Sequence, residues 1–163
     1  MKIIDLLTIE RIAVHIHVSD WRDAIQQVGL LMLRSGVIEE RYIDAMIRTA
    51  EELGPYIVMA PGIAIPHARP EDGVIKPCLA LATLEDPVPF GNPDNDPVAL
   101  LLAFGTDNSK QHTEALAEIS RLFTFMFTEY GGIEPFLSVN TSDELIALVL
   151  KTNEIAADIT QRR

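Results

Sequence analysis

Apolar positions follow two different periods along this chain, and the change of period divides it. Residues 12–18, "IAVHIHV", alternate like a strand, which predicts His15 and His17 together on its solvent face. Ser19 or Asp20 then offers a helix N-cap, and Trp21, Ala24, Ile25, Val28, Leu31 and Met32 recur at helical spacing until Gly36 closes the segment. A second helix is predicted over about 39–53, with Ile43, Met46, Ile47, Ala50 and Leu53 on one face and Gly54-Pro55 as its stop.

The middle of the chain changes character. Short apolar runs at 56–59, 62–65, 79–84 and 98–104 are separated by Pro, Gly, Asn and Asp, and read as strands. The run "VALLLAF" is apolar at every position, as a central strand covered on both faces is. A long helix follows over about 109–128, capped by Asn108 or Ser109, with Leu116, Ile119, Phe123 and Met126 in its stripe and "EYGG" at its end. A last helix starts near Ser142, with Asp143 and Glu144 in its first turn, and the final dozen polar residues are expected to fray. Helices on either side of a group of short strands predict an α/β sandwich, a mixed sheet covered by helices.

Length adds that residues 1–163 form one domain with enough chain for a proper core. The longest clean apolar run, Val98 to Phe104, is far short of the roughly 20 residues that span a bilayer, so no direct membrane insertion is expected. Acids stand in "MKIIDLLTIE" where a signal peptide needs an apolar stretch, and the chain reads as cytoplasmic. The formal net charge of −11 argues against nucleic acid, whose backbone selects basic surfaces. A single cysteine, Cys78, excludes an internal disulfide and any multi-cysteine metal site, and reads as small buried filler.

Chemistry is then sought among the histidines. In "PGIAIPHARPEDG", residues 61–73, Pro66 stiffens the backbone directly before His67, and Gly62 permits unusual backbone angles upstream. Taken by itself, His67 is either a turn residue without a task or a reactive imidazole aimed outward. His112 continues the stripe 116, 119, 123 and 126 back to the mouth of the long helix, where unpaired N–H groups favour anions. It is either a half-buried residue near a cap or part of an anion site. Together the two histidines suit phosphoryl transfer, because neutral imidazole is an abundant nucleophile at pH 7 and a second imidazole can donate to phosphoryl oxygens. Neither has zinc-ligand spacing, so a metal-binding or hydrolytic reading of the pair is the weaker one. No phosphate-cradling, dinucleotide or nucleophile-elbow motif occurs in the sequence.

"GIAIPHA", residues 62–68, resembles the active-site signature of the mannitol/fructose-type enzyme IIA domains of the bacterial sugar phosphotransferase system (PTS). "HTEALAEISRLF", residues 112–123, resembles that family's second-histidine helix, and the two motifs stand in the family's order. "PHARPEDGV" and "FGNPDNDPV" are most similar to the L-ascorbate branch. The resemblance implies an α/β sandwich in which His67 takes a phosphoryl group from the phosphocarrier protein HPr and passes it to a cysteine of enzyme IIB. The membrane enzyme IIC would use it for uptake of an L-ascorbate-like carbohydrate. His112 would stabilise the phosphoryl group, and no cofactor or metal is implied. A regulatory, nitrogen-PTS-type module acting by binding partners is the alternative. Mannitol-type members carry an arginine on a helix before the active histidine, whereas Glu51 occupies the matching position here. Arg69, two residues after His67, or Arg48, one turn before Glu51, would supply the missing charge; Arg69 is preferred. Glu71 and Asp72 read as turn and rim residues. Ile63 and Ile65 are expected either in the core or as an apolar docking rim.

Overall fold

A computed structural model describes residues 2–162. Five strands form one sheet: β1 (Ile12–Ile16), β2 (Val58–Ala60), β3 (Ile63–Ala64), β4 (Cys78–Val88) and β5 (Val98–Gly105). Their order is β1-β4-β5-β3-β2. β1 runs parallel to β4 and β3 parallel to β5, whereas β4–β5 and β2–β3 are antiparallel, so the sheet is mixed as expected.

The central pair shows how its sequence divides the molecule. In β4, Cys78, Ala80, Ala82 and Leu84 face α1 (Trp21–Arg34) and α2 (Glu40–Leu53), while Leu79 and Leu81 face α3 (Ser109–Tyr130) and α5 (Ser142–Gln161). In β5, Leu101 and Ala103 take the first side, and Leu100, Leu102 and Phe104 the second. Successive side chains alternate across a strand, and here both faces are covered. Each buried leucine contributes about 1.5–3 kcal/mol of transfer free energy. Cys78 is buried filler, and burial pushes its thiol pKa up to about 12.

The helix starts were legible, and the structure selects among the candidates. Asp20, not Ser19, caps α1 by accepting from the Asp23 N–H; Asn108, not Ser109, caps α3 by accepting from Gln111. Thr141 caps α5 by accepting from Glu144. The run at 56–59 divides into a 3-10 turn, Pro55–Ile57, and the short β2. A one-turn helix, α4 (Glu134–Leu137), was not expected.

Other expectations are corrected. His15 and His17 do not share a solvent face. The β1–β4 register shifts between Ala13 and Ile16, and His15 adopts φ 52°. That irregularity resets the alternation, so Val14 packs toward α3 and α5 but Ile16 and Val18 toward α1 and α2. His15 is half-buried, its Nε2 lying 2.8 Å from the Val139 carbonyl, while His17 lies past the strand end and is exposed. Leu53, expected on the buried face of α2, is 54% exposed because the core-facing stripe ends at Ala50. α5 extends as far as Gln161, into the polar segment. Ile63 and Ile65 are fully buried in the core on the α3–α5 side, which removes them as a docking rim.

Candidate functional site

The site is built where three elements end. β3 is only two residues long, and the chain leaves it through Ile65 and Pro66 to reach His67. Gly62 sets the entry with φ 78°, a value that L side chains rarely adopt. The exit strand is then held outside the regular ladder, by the Ile65 N–H on the Ile57 carbonyl at 2.7 Å and the Phe104 N–H on the Pro66 carbonyl at 3.3 Å.

His67 Nδ1 lies 2.7 Å from the Ile65 carbonyl oxygen. A carbonyl only accepts, so Nδ1 carries the proton, and in the neutral ring Nε2 keeps its lone pair. The imidazole stacks on Phe104 with centroids 5.1 Å apart and planes inclined by 24°. His112 completes a triangle of rings, 5.2 Å from His67 and 5.2 Å from Phe104. The helical stripe that placed His112 at the mouth of α3 thus brings it to the other histidine.

Burial disfavours the charged form of both rings. It lowers the His67 pKa below the ordinary histidine value against the opposing Ile65 hydrogen bond, and the neighbouring His112 lowers it further. Burial lowers His112 as well. At neutral pH both are therefore uncharged. Among the described residues, His112 Nδ1 is the one buried side-chain polar atom without a hydrogen-bond partner. An unpaired lone pair is the lesser cost compared with an unpaired N–H, which assigns the proton to Nε2. The site thus pairs a nucleophilic nitrogen on His67 with a hydrogen-bond donor on His112.

Arg69 follows on an exposed turn, where its Nε and Nη2 donate to the two oxygens of Asp72 at 3.2 and 3.0 Å, with Glu71 at 3.7 Å from Nη1. This ion pair holds the Asp72 carboxyl below the usual carboxylate range, and Arg48 adds to the effect. Asp72 is thus a turn residue, as expected, and also the partner of the arginine. Among the described residues, no group of three or more His, Cys, Asp or Glu side chains is arranged to hold a metal ion. Nor is any described helix long and apolar enough to cross a membrane.

The family model described as "Phosphoenolpyruvate-dependent sugar phosphotransferase system, EIIA 2" matches residues 5–152. The chain belongs to this EIIA type 2 family. It is 36% identical over 137 residues to the "Ascorbate-specific PTS system EIIA component" of Shigella boydii, covering 83% of this chain and 86% of that protein. A putative PTS IIA from Streptococcus mutans superposes with a TM-score of 0.78 at 33% identity, covering 90% of each chain. The Escherichia coli mannitol IIA, whose structure is a complex with phosphorylated mannitol IIB, superposes with a TM-score of 0.75 at 22% identity, covering 89% of this chain and 97% of that one. At that identity the likeness concerns the fold.

Within the EIIA family framework, Glu51 is not left as a bare negative charge. Arg22 of α1 donates to Glu51 Oε1 from Nε at 3.0 Å and Nη2 at 2.9 Å. Two residues of the site escaped the sequence reading. Phe104 was taken only as part of a covered strand, and nothing in "VALLLAF" marks its ring as a platform. Tyr42 was left out of the α2 stripe, although it precedes Met46 and Ala50 by four and eight positions, a spacing that places it on their face.

Proposed function

We propose that this EIIA protein carries phosphate on His67 Nε2. The His67 lone pair attacks the phosphorus of phosphohistidine on HPr; the old P–N bond breaks and its electron pair stays on the HPr nitrogen. A cysteine thiolate of enzyme IIB then attacks the same phosphorus, and the electron pair of the new P–N bond returns to Nε2. His112 Nε2–H donates to a phosphoryl oxygen as charge gathers there. The observation carrying this reading is the Nδ1 contact to Ile65, which leaves Nε2 as the nucleophilic nitrogen beside a second imidazole. Neutral His67 suits the role, because a protonated ring has no lone pair to offer. Arg69 is proposed to contribute positive charge once the phosphoryl group competes with Asp72 for its guanidinium.

The ascorbate-specific relatives support an L-ascorbate-like carbohydrate as the cargo of the cognate enzyme IIC. The phosphorylated IIB bound to the mannitol IIA supports IIB as the recipient. A cytoplasmic location follows from this role.

The test supplies phosphoenolpyruvate, enzyme I and HPr to the purified protein. Wild type should gain acid-labile phosphate and surrender it to IIB, and His67→Ala should gain none. Wild type without phosphate would overturn the relay; phosphate on His67→Ala would overturn the site.

A further inference from the structure

The relay uses His67, His112 and Phe104 and leaves one buried polar group of the site unemployed, the phenol of Tyr42. Tyr42 lies in the first turn of α2 and is fully buried. Its hydroxyl accepts from the Ala68 N–H at 3.0 Å and donates to the Phe104 carbonyl at 2.8 Å, with the Ala68 carbonyl at 3.3 Å sharing the same proton. Burial raises its pKa, so the phenol stays protonated throughout the working pH range.

These bonds close a frame around the nucleophile. Upstream of His67, Ile65 and Pro66 are tied to Ile57 and Phe104. Downstream, Ala68 is nearly inaccessible at 4% exposure, and both its backbone polar groups meet the Tyr42 hydroxyl. The same hydroxyl holds the carbonyl of Phe104, whose ring carries the imidazole. Tyr42 therefore joins the residue after the nucleophile to the residue beneath it. It is also backed from outside: a Cβ at Gly73 would lie 3.2 Å from the Tyr42 backbone nitrogen and its Cβ, so the turn after Arg69 packs closely on this residue.

We propose that Tyr42 is a positioning residue for phosphoryl transfer, its hydroxyl locking the His67 backbone against the Phe104 strand so that the imidazole keeps its aim. The functional half rests on the phosphate-carrier reading of His67; the geometric half does not. Reacting groups displaced by about 1 Å lose as much as roughly 10²-fold in rate, and loss of one hydroxyl from an otherwise intact frame should cost less.

The experiment is Tyr42→Phe, which keeps the ring and deletes only the hydroxyl that ties Ala68 to Phe104. The expected result is an unchanged final phosphate stoichiometry, a rate of transfer from phospho-HPr about tenfold lower, and imidazole 15N shifts of His67 moved away from the pure Nδ1–H tautomer. A variant with wild-type rate and wild-type His67 shifts overturns the proposal, however far its Tm falls. A slower rate with unchanged shifts overturns it too, because the loss then does not pass through His67. Altered shifts with an unaltered rate overturn its functional half. If wild type takes no phosphate, the carrier reading fails, and the 15N shifts still decide the positioning. If the variant does not fold, amide exchange in wild type replaces it: an Ala68 amide protected like those of β5 supports the frame, and one exchanging like an exposed loop overturns it.

Discussion

His67 and His112 hold their rings 5.2 Å apart and inclined by 59°, although one comes from an irregular exit loop and the other from the first turn of a helix. The unpartnered Nδ1 of His112 places the ring proton on Nε2, which in the proposed relay donates to the phosphoryl group. His112→Ala should still accept phosphate but pass it to IIB about 10²-fold more slowly, the usual effect of losing one donor to a developing charge. His112→Gln, which keeps an N–H, should fall between. Single-turnover transfer from the phosphorylated variants measures this, and a wild-type rate in His112→Ala would remove His112 from the chemistry.

Phe104 supports the His67 ring and is fully buried. Phe104→Leu keeps an apolar side chain while removing the aromatic platform. It should lower stability by about 1–3 kcal/mol, below the 3–5 kcal/mol typical of truncation to alanine, and should slow phosphate acceptance. Urea denaturation alongside the acceptance rate separates the two effects. Unaltered acceptance would make Phe104 core alone.

The lowered pKa values of both histidines fix the sign of a pH effect. Below the ordinary value of about 6.5 the unfolded chain binds protons that the native rings resist, so the unfolded state is favoured there. This contribution to stability is fully present above about pH 7 and is lost as pH falls through 6.5 toward the lower native values. Urea midpoints between pH 8 and 5 should fall more steeply for wild type than for the His67→Gln/His112→Gln double variant. Equal slopes would contradict burial as the cause.

The Arg69 end of the Arg69–Asp72 pair is exposed to solvent, so breaking the pair should leave stability nearly unchanged. Asp72→Asn frees the guanidinium and should lengthen the lifetime of phosphorylated protein, whereas Arg69→Ala should shorten it. Phosphohistidine half-lives of the two variants are the measurement. Identical lifetimes would confine the arginine to the turn.

Gly62→Ala meets two obstacles, the φ of 78° and an added Cβ 2.7 Å from Ile133 Cδ1. The backbone strain alone costs about 1–2 kcal/mol, so thermal unfolding should shift downward by several degrees. A wild-type Tm would mean that the turn can reshape.

Much of the architecture was legible because it depends on local periods. The helical stripes of α1 and α3, their caps and the wholly apolar β5 each follow from residues close in sequence. What failed depended on distant partners. The bulge at His15 belongs to the register against β4, and the exposure of Leu53 to where α2 leaves its packing surface. The site shows the same division. His67 was marked by its neighbours Pro66 and Gly62, and His112 by its place on a stripe. Phe104 carried no local mark and Tyr42 only the helical spacing of a buried position, because their contacts at the site are to other segments.

By itself, then, the sequence determined which histidines stand at a strand exit and a helix start, since proline, glycine and a 3.6-residue period act within a few residues of chain. Only the tertiary structure decided which nitrogen of His67 is left without a partner. That choice rests on the Ile65 carbonyl meeting Nδ1, on Phe104 beneath the ring, and on a phenol from α2 that bridges Ala68 to Phe104. Hydrogen-bond direction and ring stacking are properties of groups brought together in space, and no spacing along the chain encodes them.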